Sequence, residues 1–278
     1  MAAARRLRGL VRLTRPGNVV GGAVLAVLGA YVAAALAHPL ELAVAAGATG
    51  LGTAAGNAIN DYFDREIDAV NRPDRPIPSG AVEPTDALVL SGVALGVAFA
   101  ATVALLPVEA IGIAVVVLVL LVTYTQVFKG TPGGGNAVVA FLVASALWFG
   151  GAAVGDLPAT AVLGALAGLA TFTREVVKDI EDLPGDRAAG LRTLPVAVGV
   201  RGAWIAAGVA LGLGGLVSPV PYLDGTFGIW YLVGLAPAIA VMGLGWLVGR
   251  GDPSAGQRRL KVGMYLALAA FVLGRVGG

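Results

Sequence analysis

Apolar stretches of roughly 20 residues, separated by short polar segments, recur along nearly the whole chain. That is the length a helix needs to cross about 30 Å of hydrocarbon. The pattern predicts helices over 18–37, 42–63, 86–106, 110–128, 136–154, 159–178, 200–218, 228–249 and 260–276. Nine crossings put the two termini on opposite sides of a membrane, and the charges test that count. Arg5 to Arg15, the segment Arg65 to Arg75, Lys129, the segment Arg174 to Arg201, and Arg250 to Lys261 all fall on one face. Of the 19 Lys and Arg residues only Arg275 is left outside it. This is the positive-inside distribution, so the basic face and the N-terminus are expected in the cytoplasm. The expected fold is all-α: a polytopic membrane protein of nine transmembrane helices forming a single domain over 1–278.

Composition agrees. Charged residues make up 13% and hydrophobic ones 57%, against about 25% charged in an ordinary soluble domain. The 42 glycines suit helices that approach closely in lipid, where no hydrophobic incentive drives association. There is no cysteine, which excludes disulfides, thiolate catalysis and a cysteine zinc site. A net charge of +2 gives no reason to expect nucleic acid. Arg5, Arg6 and Arg8, then an apolar run and the small residues Ala35 and Ala37, imitate a secretory signal. The run from Val19 to Ala37 is long for a signal core, however, and eight similar runs follow, so it reads as the first membrane helix.

The polar residues inside this apolar background are patterned. At an offset of 118 residues Asn18 aligns with Asn136, Asn57 with Glu175, Asp61 with Asp179, Asp64 with Asp182, and Asp68 with Asp186. After a one-residue shift Arg75-Pro76-Ile77-Pro78 lies over Arg192-Thr193-Leu194-Pro195. Two related helical units are therefore expected to contribute to one site. At 100° per residue Asn57, Asp61, Asp64 and Asp68 fall within an arc of about 60°, so one helix face presents three carboxylates and an amide. The second segment repeats the spacing, with Pro184 and Gly185 expected to end the helix and leave Asp186 on a loop.

Carboxylates near a membrane persist mainly with partners, and six stacked aspartates call for cations. The donors are all oxygen with no His or Cys beside them, which favours Mg²⁺. Mg²⁺ typically binds through one or two carboxylates plus substrate phosphates, so two clusters imply two ions and a phosphate-rich substrate. Arg72 and Arg75 follow the first cluster; Lys178, Arg187 and Arg192 flank the second; Lys129 ends the fourth predicted helix. These can neutralise a leaving diphosphate, whose departure from an allylic carbon gives a delocalised cation. Solvated helix ends and salt bridges are the plain alternative for either cluster alone. Two clusters of matching spacing, each followed by an arginine and a proline-containing loop, weigh against it. His38 reads as a loop residue, and Arg258, Arg259 and Lys261 as topology and headgroup anchors.

Asn60, Asp61, Asp64 and Asp68 match the Asn-Asp-x-x-Asp-x-x-x-Asp pattern of the UbiA superfamily of intramembrane prenyltransferases. Asp182 and Asp186 match its second Asp-x-x-x-Asp, Asn71 through Gly80 its Asn-Arg-Pro-x-Arg-Pro-x-x-Ser-Gly loop, and Tyr124 with Lys129 its Tyr/Lys segment. The resemblance covers Thr14 to Gly199. It implies nine helices around a central cavity open to lipid, with a cytoplasmic-side site binding Mg²⁺ and diphosphate. It further implies Asp64, Asp68, Asp182 and Asp186 as metal-binding catalytic residues, with Asn57 and Asp61 supporting the first ion and Asp179 an additional candidate. Lys129, Arg72, Arg75, Lys178 and Arg192 are implied for diphosphate or acceptor phosphate, Tyr124 for a place over the allylic carbon, and Asn18 and Asn136 for the cavity floor. The segment Arg174–Asp186 with Gly190–Pro195 looks most like the archaeal ether-lipid branch, which implies transfer from geranylgeranyl diphosphate to geranylgeranylglyceryl phosphate. A quinone precursor such as 4-hydroxybenzoate is the rival acceptor. An ion-coupled transporter is the rival class, although transporter acids lie near the midplane and these lie at helix ends. Membrane lipid is the expected surrounding, and no protein partner is implied.

Overall fold

In a computed structural model of the chain, residues 2–34 and 36–276 are described; Ala35 of the signal-like feature lies outside them. Among the described residues the secondary structure is helical throughout, with no strand. The order is α1 (Ala2–Thr14), α2 (Pro16–Ala34), α3 (Pro39–Phe63), α4 (Arg65–Asn71), α5 (Pro84–Leu105), α6 (Val108–Thr123), a π-helical turn (Tyr124–Phe128), α7 (Gly134–Ala153), α8 (Pro158–Ala188), α9 (Leu194–Val217), α10 (Val220–Leu223), α11 (Ile229–Gly249) and α12 (Pro253–Val276). Among the described residues seven stretches are long and apolar enough to cross a membrane, Pro84–Leu105 and Ile229–Gly249 being two of them. The chain is a multi-pass membrane protein. α6 is apolar but only 16 residues long, and α12 carries Arg258, Arg259 and Lys261 in its first half. Prolines open α2, α3, α5, α8 and α12, where the N–H they lack has no partner within a helix anyway.

The chain forms two compact units, Met1–Thr125 with Ala146–Leu157, and Gln126–Ser145 with Pro158–Gly278. In the first, α2 meets the later part of α7 backbone to backbone. A Cβ on Gly29 would stand 2.1 Å from the Leu147 carbonyl oxygen, and one on Gly150 would stand 2.0 Å from that of Ala26. Ala26, Ala45, Phe149, Ala152 and Ala153 form the core around this crossing. A second core buries Leu13 of α1 against Ala58, Ile77, Val82 and Ala87, worth about 1.5–3 kcal/mol for a leucine withdrawn from water. In the second unit α8 packs Val176, Val177 and Ile180 against Ala203, Trp204, Met242 and Leu260.

Several expected boundaries need correction. The N-terminal arginines belong to α1, a separate amphipathic helix rather than a charged leader to the first span. Pro184 and Gly185 do not end α8, which runs to Ala188, so Asp186 is helical and not on a loop. A proline near a helix end removes one backbone bond, and here the stop comes later. Gly190 adopts φ +69°, Leu191 N–H donates to the Asp186 carbonyl at 2.9 Å and Gly190 N–H to that of Arg187 at 3.1 Å, a glycine-ended Schellman cap. α9 begins at Leu194 with a break at Gly199 (φ 75°, ψ 163°), so residue 200, the expected start, is where it resumes. α12 begins at Pro253 rather than 260.

Candidate active site

The first acidic segment joins α3 to α4. α3 ends at Phe63, and Asp64 is the junction at φ −85°, ψ −1°. Asp64 N–H still donates to the Asn60 carbonyl at 2.9 Å and Asp68 N–H to that of Asp64 at 2.8 Å, so the four-residue register survives the junction. Asn57, Asp61 and Asp68 are buried. Asp61 Oδ1 accepts from Arg15 Nη2 at 2.5 Å and from Arg75 Nη1 at 3.2 Å. Arg75 Nη1 also donates to Asp68 Oδ2. Asn57 Nδ2 donates to the Thr14 carbonyl at 2.9 Å, and Asn18 Nδ2 reaches Asn57 Oδ1 at 3.5 Å.

The loop that supplies Arg75 is itself fixed. Pro76 and Ile77 are buried, and the Pro76 carbonyl accepts from Ala81 and Val82 N–H at 3.0 and 3.2 Å. Arg12 Nη2 holds the Asp74 carbonyl at 2.8 Å, and Arg5 Nη2 that of Ser79 at 2.7 Å. α1 therefore braces this loop from one side. Arg72 is exposed and caps α4 through its N–H to the Asp68 carbonyl at 2.8 Å.

In the second unit Asn136 is buried at the start of α7, and its Nδ2 donates to Asp179 Oδ2 at 2.8 Å. Lys178 Nζ lies 3.9 Å from Asp182 and 4.0 Å from Glu175, and Arg174 pairs with Glu175 at 2.5 Å. Thr193 Oγ1 donates to Asp186 Oδ2 at 2.8 Å. The Asp182 side chain is 54% exposed. Arg192 N–H donates to the Gly130 carbonyl at 2.9 Å. Gly130 has φ +76°, and a Cβ there would meet Leu191 at 2.9 Å. The segment that follows Lys129 is thus tied to the one carrying Arg192. Tyr124 opens the π-helical turn that ends one residue before Lys129, and single π turns occur frequently at functional sites.

The acids do not form closed cages: among the described residues no group of three or more His, Cys, Asp or Glu could hold a metal. Pairs of carboxylates on a hard-oxygen background fit an ion that takes one or two protein ligands and completes its shell with phosphate and water, which is Mg²⁺ behaviour. Two polar partners escaped the sequence reading. Thr193 holds Asp186, and Arg15 holds Asp61. Arg15 was hidden in a run of arginines that topology explained on its own. The available signal was its position before Pro16, a place where the backbone is restricted.

The chain is similar to known proteins in sequence and in fold. Residues 22–269 match the sequence model of the UbiA prenyltransferase family. The chain is 54% identical to digeranylgeranylglyceryl phosphate synthase of Natronomonas pharaonis, over 98% of this chain and 98% of that protein. It is 55% identical to the protein of the same name from Halobacterium salinarum, over 97% and 98%. A solved structure concerned with digeranylgeranylglyceryl phosphate synthase in membranes superposes with TM-score 0.87 at 28% identity, covering 98% of this chain and 99% of that one. A UbiA homolog from Archaeoglobus fulgidus bound to GPP and Mg²⁺ has the same fold, with TM-score 0.68 at 17% identity over 98% of each chain. The chain belongs to the UbiA prenyltransferase family.

Proposed function

We propose that this prenyltransferase moves a geranylgeranyl group from its diphosphate to the free hydroxyl of geranylgeranylglyceryl phosphate, a reading supported by relatives named digeranylgeranylglyceryl phosphate synthase. Identity above 50% over nearly the full length carries the reading, and the oxygen-only acid pairs flanked by arginine and lysine support it. Both units act as one prenyltransferase domain, with the acidic helix ends on the cytoplasmic side.

Asp64 and Asp68 in one unit, and Asp182 and Asp186 in the other, would each hold one Mg²⁺. Bound there, the ions would supply positive charge to the diphosphate as the C1–O bond breaks. Arg72, Arg75, Lys129, Lys178 and Arg192 bind the diphosphate and the acceptor phosphate by charge-assisted hydrogen bonds. Tyr124 offers its aromatic face to the allylic cation. Asn18 reaches the buried Asn57, which holds the Thr14 carbonyl, and Asn136 holds Asp179, so the three amides stand beside the acids where substrate would bind. The acceptor oxygen forms its bond to C1 as the bond from C1 to the diphosphate oxygen breaks, and its proton passes to the departing diphosphate.

The deciding experiment gives purified protein labelled geranylgeranyl diphosphate with either geranylgeranylglyceryl phosphate or 4-hydroxybenzoate and reads product mass. A product of the glycerol lipid alone is expected. Product only from 4-hydroxybenzoate would overturn the acceptor, and ion-coupled uptake without any transfer would overturn the enzyme.

A further inference from the structure

Arg15 stands between α1 and α2 with φ +49°, the one non-glycine residue with positive φ among the described residues. It also precedes Pro16, which narrows its backbone choices further. Strain of this kind persists where surrounding interactions fix it, and it clusters at functional sites. Glycine would relieve it at no steric expense. The guanidinium must therefore matter where it is.

As a structural clip it would accomplish little. The Arg15 side chain is 36% exposed against 5% for Asp61, and Asp61 keeps Arg75 as its partner when Arg15 is removed. Its use of donors points elsewhere. Arg15 engages Asp61 through Nη2 alone, and Arg75 uses only Nη1, for both Asp61 and Asp68. The remaining N–H donors of both guanidinia have no protein partner among the described residues. One carboxylate oxygen, Asp61 Oδ1, thus holds two forked cations side by side. That pair suits an anion with several oxygens on two linked phosphorus atoms. Asp61 has its contacted oxygen saturated by arginine and is buried, whereas Asp68 shares only Arg75.

We infer that Arg15 is a further diphosphate-binding residue, and that Asp61 is a positioning residue that sets it beside Arg75 rather than a metal ligand. This rests on the proposed diphosphate chemistry. If Asp68 turns to a cation, Asp61 alone neutralises two guanidinia and one positive charge is left for the diphosphate.

The test measures binding on the full-length protein in lipid nanodiscs, with inorganic diphosphate plus Mg²⁺ by calorimetry and Mn²⁺ alone by electron paramagnetic resonance. Arg15→Gly should weaken diphosphate binding roughly ten- to a hundredfold, leave Mn²⁺ binding unchanged and not lower the melting temperature. Arg15→Lys should recover part of the affinity. Asp61→Asn should lose diphosphate affinity and keep Mn²⁺. Unchanged diphosphate binding in Arg15→Gly would overturn the role of Arg15, and a lowered melting temperature with that binding intact would identify a clip. Loss of Mn²⁺ binding in Asp61→Asn would make Asp61 a metal ligand. Should Asp61→Asn not fold, Arg15→Gly and Arg15→Lys decide. Wild-type protein that binds no diphosphate would overturn the diphosphate reading and this inference together; wild-type binding matched by Arg15→Gly overturns the inference alone.

Discussion

Asp61 and Asp179 hold equivalent places in the repeated sequence, yet they are neutralised differently. Asp61 is buried between two full positive charges, Arg15 and Arg75. Asp179 accepts from an uncharged amide, Asn136, while its neighbour Asp182 stays largely exposed with one lysine 3.9 Å away. Matched spacing fixes where along a helix the acids stand. What balances them comes from elsewhere, from the turn before α2 and the loop after α4 in the first unit, and from the start of α7 in the second. Two guanidinia thus stand around one buried carboxylate in the first region, whereas the second leaves the Asp182 carboxylate 54% exposed.

The largest effect that can break this contrast is loss of an acid itself. Asp182→Ala should abolish turnover with helicity and melting behaviour retained, since an exposed carboxylate adds little to packing; circular dichroism and a transfer assay check both halves. Asp64→Ala should do the same, and wild-type rates in either variant would remove the metal role. Chelation with EDTA should silence the wild type and Mg²⁺ restore it, and undiminished turnover in chelator would take the ion out of the chemistry. Stability separates the two regions next. Arg75→Ala leaves two buried carboxylates short of a partner and should destabilise by about 3–5 kcal/mol, read as the unfolding free energy in mixed micelles. Asn136→Ala removes one hydrogen bond to a half-buried carboxylate and should cost only about 1–3 kcal/mol. Equal losses would erase the contrast. The smallest change is expected at Gly190, where alanine must adopt φ +69° and should cost about 1 kcal/mol while loosening the helix end that carries Asp186.

Much of this was legible in the sequence because bilayer thickness and helical periodicity act locally. Long apolar runs place the membrane helices, and four-residue spacing places Asp64, Asp68, Asp182 and Asp186. The missed features depend on partners distant in sequence. α1 is amphipathic because Leu13 buries against Ile77 and Val82, a contact that a run of arginines does not announce. Arg15 acquires its meaning only when Asp61, 46 residues later, comes beside it. α8 continues past Pro184 because its end is secured at Gly190, whereas a local rule stops at the first proline and glycine.

The crossing at Gly29 and Gly150 also constrains biogenesis. The segment Ala146–Leu157 completes the first unit although the 20 residues before it, Gln126–Ser145, are assigned to the second. A nascent chain emerging from the ribosome has all of α2 to α6 by residue 123, but still lacks Leu147, Phe149 and Gly150. The seat on α2 stays uncovered until synthesis passes that point. The first unit can therefore close only once Ala146–Leu157 has been made, and a translation arrest before Ala146 should leave α2 without its α7 partner and open to protease.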